Sequence, residues 1–367
     1  MLKLKTLVLI VLIGFGCEEK PVAVNFQQGY HGKITEGQSK LIHTEAKGFF
    51  NQTQLSIAII KNGQPEFYGI KIENDTLISV ENQDRVFEIG SISKVFTATL
   101  LADLSLEGKL NLNDPASKYL PWKLKNEPKF TLQQLSNHSS GLPRLPDNLI
   151  LSEVDISNPY KDYGEKKLGF YLTEQLELKQ NPGLKFEYSN LGVGLLGYIL
   201  TKIDSSSYEE MLQRRITQPL QMESTTIERE KVLNQLVKGL DVEGQVTPNW
   251  DLNVLEGAGA ILSSTQDLTK FALAQFKPDN QEITLTHKKT FSITPYEKAI
   301  GLGWMIENKK EGKWLWHGGG TGGYTSSFTL DLERKNAVII LSNVSAFSEN
   351  AINISNLGSR LMEIIED

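Results

Sequence analysis

The sequence predicts an α+β fold in which one antiparallel sheet, flanked by helices, is assembled from both ends of the chain and carries an inserted all-helical subdomain. Three observations lead there. Strand-like runs with turn chemistry occupy residues 55–72 and return at 302–341, whereas the stretch between about 110 and 258 reads mainly as helix and connection. Strands at both ends with helices between them pack most simply as a single sheet with an insertion. The 367 residues, 40% hydrophobic and 22% charged, suit one large domain or two intimately joined ones. A ligand cleft is expected where sheet and helical subdomain meet.

At the start of the chain, Lys3 and Lys5 precede the apolar run Leu7 to Gly16, which is short for a membrane span and fits a secretory h-region, so residues 1–16 are expected to be a signal peptide. The only cysteine, Cys17, follows small Gly16 and resembles the lipobox at which bacterial lipoproteins are cut and acylated. The expectation is an exported bacterial protein, lipid-anchored through Cys17 to a membrane on its periplasmic or outer side. Gly14 stands where a Leu-like residue is usual, which keeps a simply cleaved secretory peptide as the alternative. With no second cysteine the mature chain has no internal disulfide. Residues 17–44 are polar, without sustained period, and read as a tether. A net charge of −6 with no long basic run argues against a nucleic-acid partner, because phosphate neutralisation needs clustered Lys and Arg.

Leu55 to Ile60, the turn Asn62-Gly63 and Phe67 to Ile72 predict a β-hairpin. Phe87-Glu88-Ile89-Gly90-Ser91-Ile92-Ser93-Lys94 reads as an extended segment running into a buried helix, with Phe96, Leu100 and Leu104 on one face and Glu107-Gly108 as the stop. Leu110 to Pro115 and Tyr119 to Pro121 form a turn-rich connection. Residues from about Thr131 to Leu220 read mainly as helix: Thr131 caps one, and Leu191 to Ile203 forms another whose Gly192, Gly194 and Gly197 permit close packing. Ala258 to Leu268 is a glycine turn followed by a helix capped by Ser264 or Thr265. Strands are expected at Leu302 to Ile306, Trp314 to His317, Ser326 to Leu332 and Ala337 to Leu341. A terminal helix should bury Ile352, Leu357, Leu361, Ile364 and Ile365.

Three short stretches carry chemistry. Ser91 and Lys94, three apart, share a helix face, so the amine lies beside the hydroxyl. A lysine crowded into a desolvated site loses basicity and can take the serine proton, which makes Ser91 the candidate nucleophile. An ordinary helix start with a solvated lysine is the alternative for this tetrapeptide alone. Tyr188-Ser189-Asn190 follows a Pro182-Gly183 turn: Tyr188 is a candidate general base whose phenol a nearby cation would acidify, and Asn190 a candidate amide partner of Lys94 and substrate; taken alone, the tripeptide also fits a turn tyrosine capping a core. Trp316-His317-Gly318-Gly319-Gly320 is a strand end whose glycines let a substrate lie against the backbone and whose N–H groups, with that of Ser91, suit an oxyanion hole. A phosphate loop is unsupported, because this run lacks the Lys-Ser/Thr and the following helix. A metal centre is not expected either, since His31, His43, His138, His287 and His317 are scattered and no His-Glu-x-x-His occurs; His138 reads as a structural loop residue.

Taken together, Ser91-x-x-Lys94, Tyr188-x-Asn190 and His317-x-Gly319 resemble, in order and spacing, the three motifs of the penicillin-recognising serine hydrolases, the class C β-lactamases, DD-carboxypeptidases and related esterases. Asn113-Asp114-Pro115, Leu135 to Pro143 and Gly257-Ala258-Gly259 also look like that family. The resemblance implies a β-lactamase/transpeptidase-like fold over residues 45–367, acylation of Ser91, proton transfer through Lys94 and Tyr188, an oxyanion N–H from Gly320, and no cofactor or metal. It implies a small-molecule or peptide substrate, of β-lactam or D-alanyl type. One departure stands out: most class C β-lactamases carry Lys-Thr-Gly as the third motif, and here the cation is at best His317 while the hydroxyl is lost at Gly318, with Thr321 or Ser326 as possible substitutes. A small-ester esterase and a non-turnover penicillin or peptidoglycan sensor are the alternatives.

Overall fold

The computed structural model describes residues 23–24, 34–293, 298–309 and 312–366. The expected signal peptide and Cys17 lie outside the described residues.

Strands β1 (Ala23–Val24), β2 (Gln54–Lys61), β3 (Gln64–Glu73) and β4 (Thr76–Val80) come from the N-terminal part of the chain. β5 (Val86–Glu88) leads to the site, and β6 (Leu262–Ser264) pairs with it in a separate two-stranded sheet. The rest are β7 (Phe291–Ile293), β8 (Lys298–Ile300), β9 (Met305–Lys309), β10 (Gly312–Gly320), β11 (Thr325–Asp331) and β12 (Asn336–Ser342). The large sheet has the order β1-β4-β3-β2-β12-β11-β10-β9-β8-β7. Its pairings are antiparallel except β1 with β4. The two ends of the chain meet at the β2/β12 pair, where Ile59 faces Val338 and Ile57 faces Ile340. The β2–β3 turn has Asn62 and Gly63 at φ of 53° and 75°, the left-handed pair a tight hairpin requires.

Both faces of the sheet are covered, which is why β2 and β12 read as continuous apolar runs rather than alternating ones. On one face Ile57, Ile59, Val338 and Ile340 pack with Leu41, Ile42, Leu357 and Leu361. Those partners belong to α1 (Glu36–Glu45) and the terminal helix. On the other face Ala58, Ile60, Ile339 and Leu341 join the larger core shared with the remaining helices. These are α2 (Ser93–Leu106), α3 (Leu132–Ser136), α4 (Glu165–Phe170), α5 (Asn190–Asp204), α6 (Tyr208–Leu212), α7 (Thr265–Gln275) and α8 (Gln281–Thr286), with α9 (Ala351–Glu366) closing the first face.

Several elements differ from the sequence expectation. The tether ends early: Thr35 and Gln38 form a capping box, and α1 occupies most of its last ten residues. Of the residues assigned to the inner side of α9, Leu357, Leu361 and Ile365 are buried, but Ile352 and Ile364 are exposed while Ile354 and Met362 take the core positions. The helix is phased on positions 354, 357, 361 and 365, the three-to-four spacing of one buried stripe. The stretch from Thr131 to Leu220 is less helical than its apolar content suggested. Residues 137–164 and 176–189 are loops, with Pro143, Pro146, Pro159 and Pro182 excluding helix and Gly141 and Gly183 at φ of 79° and 80°. Ser264 is the cap of α7, accepting from the Asp267 N–H.

Candidate active site

The site begins where β5 ends. Gly90 has φ of 52°, and a Cβ there would stand 2.5 Å from Gly320 N. Only glycine satisfies both constraints. Ser91 sits in a 3-10 turn, Gly90–Ile92, and α2 starts behind it at Ser93, so the nucleophile candidate precedes the helix rather than opening it. The turn is clamped to β10 and β11: the Ser326 hydroxyl donates to the Ile89 carbonyl at 2.9 Å, and a Cβ on Gly319 would collide with that same carbonyl.

Lys94 lies in the first turn of α2 and is 1% exposed. Its Nζ stands 2.8 Å from Ser91 Oγ and donates to the Ala258 carbonyl at 2.6 Å. Burial, helped by the positive charge of Arg144, holds its ammonium pKa well below the ordinary lysine value. Asn190, expected to share this amine, is replaced there by Ala258. That carbonyl is delivered by the 3-10 segment Asn253–Ala258, which presses on α5: a Cβ on Gly197 would lie 2.9 Å from the Gly257 Cα, and Thr97 Oγ1 donates to the Gly257 carbonyl at 2.7 Å.

Tyr188 leans over the pair, its ring centroid 5.1 Å from Lys94 Nζ. The sequence suggested a phenol acidified by the cation. Instead burial pushes the phenol up to about 12, with the neighbouring Ser91 hydroxyl and Arg144 offsetting only part of the rise. The group is therefore a neutral proton donor at ordinary pH. His138 holds this stretch: its Nδ1 accepts from the Ser189 N–H at 3.1 Å and its ring lies 4.4 Å from that of Tyr188, centroid to centroid. Ser189 caps α5 by accepting from Gly192 N–H, and its own hydroxyl donates to the Pro143 carbonyl at 2.6 Å. Asn190 opens α5 and lines the cleft.

His317 is 4% exposed, and its Nδ1 lies 2.7 Å from the Gly318 carbonyl, so the proton resides on Nδ1. Burial, with the nearby Lys94 charge second, lowers its pKa to about 3. The residue is neutral, so His317 does not supply the cation that Lys-Thr-Gly carries in most class C β-lactamases. The two hydroxyls considered as replacements do not supply one: Thr321 is withdrawn to 2% exposure, and Ser326 is spent on Ile89.

Ser91, Tyr188, Asn190 and His317 line a cavity of about 610 Å³. Trp316, His317, Gly318, Gly319 and Gly320 of β10 form one wall; Arg144, Tyr160, Phe186, Tyr188 and Asn190 form the other. Beyond Trp316, which pairs with Met305, the outer edge of β10 has no strand partner among the described residues. Gly320 is thus presented to the cleft beside Gly90 and Ser91. Arg144 was missed in the sequence, although it directly follows the Leu135 to Pro143 stretch, and the only available signal was a lone cation placed after that proline.

The architecture is that of the β-lactamase/transpeptidase-like serine hydrolase fold. It superposes with a TM-score of 0.75 on the octameric penicillin-binding protein homologue from Pyrococcus abyssi, at 26% identity, covering 89% of this chain and 77% of that one. With the β-lactamase/D-alanine carboxypeptidase from Pseudomonas syringae the TM-score is 0.73 at 21% identity, covering 89% and 99%. The family model described as Beta-lactamase matches residues 52–356, and the chain belongs to that family. Among curated relatives, a β-lactamase of Pseudomonas fluorescens is 29% identical over 264 residues, 69% of each chain. Protein flp of Staphylococcus aureus (strain MW2) is 27% identical over 311 residues, 79% of this chain but 59% of flp, so the chain spans less than two thirds of that relative's length.

Proposed function

We propose that the protein is a serine acyl hydrolase that cleaves an amide or ester, of β-lactam or D-alanyl peptide type, through an acyl-enzyme on Ser91. The observation that carries this is the 2.8 Å approach of a buried Lys94 amine to the Ser91 hydroxyl. An amine whose basicity burial lowers accepts, in its neutral form, the hydroxyl proton as Oγ attacks the substrate carbonyl. The N–H groups of Ser91 and Gly320 stabilise the resulting oxyanion. Tyr188 donates its phenolic proton to the leaving heteroatom as that bond breaks, and recovers a proton from the Lys94 ammonium. Water then attacks the acyl carbon, loses its proton to the same relay and releases the acid, with Ser91 Oγ reprotonated. No step requires a metal.

The likeness to a β-lactamase of Pseudomonas fluorescens and to a β-lactamase/D-alanine carboxypeptidase of Pseudomonas syringae supports the substrate class. A panel of nitrocefin, a D-Ala-D-Ala peptide and p-nitrophenyl acetate, run on the wild type and Ser91→Ala, tests it. Turnover that survives Ser91→Ala overturns the mechanism. Ester turnover alone favours the small-ester esterase, and a penicillin adduct that forms and never leaves, seen by mass spectrometry, favours the sensor. We also propose export and a lipid anchor at Cys17; a Cys17→Ala protein that still incorporates labelled fatty acid and stays in the membrane fraction would sink that idea.

A further inference from the structure

The cleft has no cation on its strand wall and carries one on the other. Among the described residues that line it, Arg144 alone bears a formal charge. Most arginines here are paired: Arg214, Arg215, Arg229, Arg334 and Arg360 each meet a carboxylate. Arg144 is exposed and has no carboxylate partner among the described residues. Its backbone is fixed, because its carbonyl accepts from the N–H groups of Asn190 at 2.9 Å and Leu191 at 3.1 Å, the first residues of α5. Its guanidinium rests on the Tyr188 ring, Cζ to centroid 5.1 Å. An unpaired cation held on a rigid helix start, beside the group that protonates the leaving atom, is a preorganised anion receptor.

We propose that Arg144 selects the substrate by receiving an anionic group, a carboxylate or its equivalent, on the portion that departs past Tyr188. This rests on the acyl-transfer reading above, and it assigns the anion to the helical wall rather than to the third motif. Tyr160, Phe186 and Trp250 around it give the rest of that portion an aromatic or apolar bed. A charge-assisted contact of this kind is worth roughly ten- to hundredfold in selectivity.

The kinetic test uses two phenylacetate esters, one leaving as phenol and one as 3-hydroxybenzoate. The wild type is expected to favour the carboxylated ester by about that factor, mainly through KM; Arg144→Gln brings the ratio near one, and Arg144→Lys keeps part of it. A ratio unchanged in Arg144→Gln overturns the proposal. The equilibrium test titrates 2-naphthoate and 2-naphthamide into the Ser91→Ala protein, following fluorescence of Trp250 and Trp316 in the cleft. Tighter binding of the carboxylate, lost on adding Arg144→Gln, supports the receptor even if no ester is turned over, in which case the acyl-transfer reading alone has failed. Equal binding of acid and amide rejects the receptor whatever the enzyme turns over.

Discussion

The two walls of the cleft are built by opposite strategies. The β10 wall is backbone: three consecutive glycines, a neutral buried histidine and an open strand edge bring N–H groups close to Ser91. The helical wall is side chain: Tyr188 and Arg144 come from two loops that meet at the start of α5, with the Tyr188 ring between Arg144 and the Lys94 amine. Where one wall offers shape and fixed dipoles, the other offers protons and charge. The strand wall carries neither cation nor free hydroxyl, the charge of the cleft lies on the helical wall, and each wall can be altered separately.

The largest effect belongs to the helical side. Lys94→Met should lower kcat/KM by about a thousandfold, the scale of a lost general base. In the wild type, kcat/KM should rise with pH through an apparent pKa below the ordinary lysine value, because the amine must lose its proton first. A profile whose acid limb is unchanged in Lys94→Met would break the assignment. Gly90→Ala tests the seam between the walls. Its Cβ meets Gly320 N, and the strand must retreat from Ser91, at a cost on the order of a hundredfold in kcat. Steady-state kinetics with a thermal melt separates this from simple unfolding.

Acid stability probes the buried imidazoles: His317 on the strand wall, His138 against Tyr188, and His287, which meets Gln275 away from the cleft. His317 and His287 are lowered to about 3 and about 4, and His138 lies well below its ordinary value, all first through burial. A base with a depressed folded pKa contributes stability that is complete above its unfolded value near 6.5 and is lost as pH falls toward the folded one. Urea midpoints should therefore drop from pH 6.5 toward 4. Glu256, raised to about 7 by burial and by Glu209, acts in the opposite sense, since its contribution is present below its unfolded pKa and lost as pH rises through 7. Midpoints flat from pH 6.5 to 4 in a Glu256→Gln protein, where that opposing contribution is removed, would mean the imidazoles are not neutral inside. The smallest effect should come from Gly318→Thr. A Cβ there meets nothing nearer than the Ser326 carbonyl at 3.6 Å, an ordinary contact, so a side chain can start there without a clash. The substitution should raise nitrocefin turnover by up to about tenfold, the value of one hydrogen bond.

The pattern of legibility follows the range of the interactions. Ser91 and Lys94 are three residues apart, and their contact is set by local geometry, so the sequence displayed it. The hairpin at Asn62-Gly63 and the caps at Thr131 and Ser264 were readable for the same reason. What escaped depends on distant partners. Ala258 reaches Lys94 only because Gly197 and Gly257 touch, and β6 exists only because β5 lies beside it. The protonation of Tyr188 was misjudged because desolvation, invisible in a linear chain, outweighs the adjacent positive charge. Strands β7 and β8, each three residues long, are too short for a periodic signal.

The pairing of β2 with β12 has a temporal consequence. A ribosome delivers β2 well before β12, with the whole helical stretch made in between, so the middle of the sheet must wait for the later strands. Ser91 and Gly320 belong to those same early and late portions. Until the seam closes the nascent chain holds a serine and a lysine with nothing to steady an oxyanion, and the appearance of hydrolysis during refolding would time the closing of the sheet.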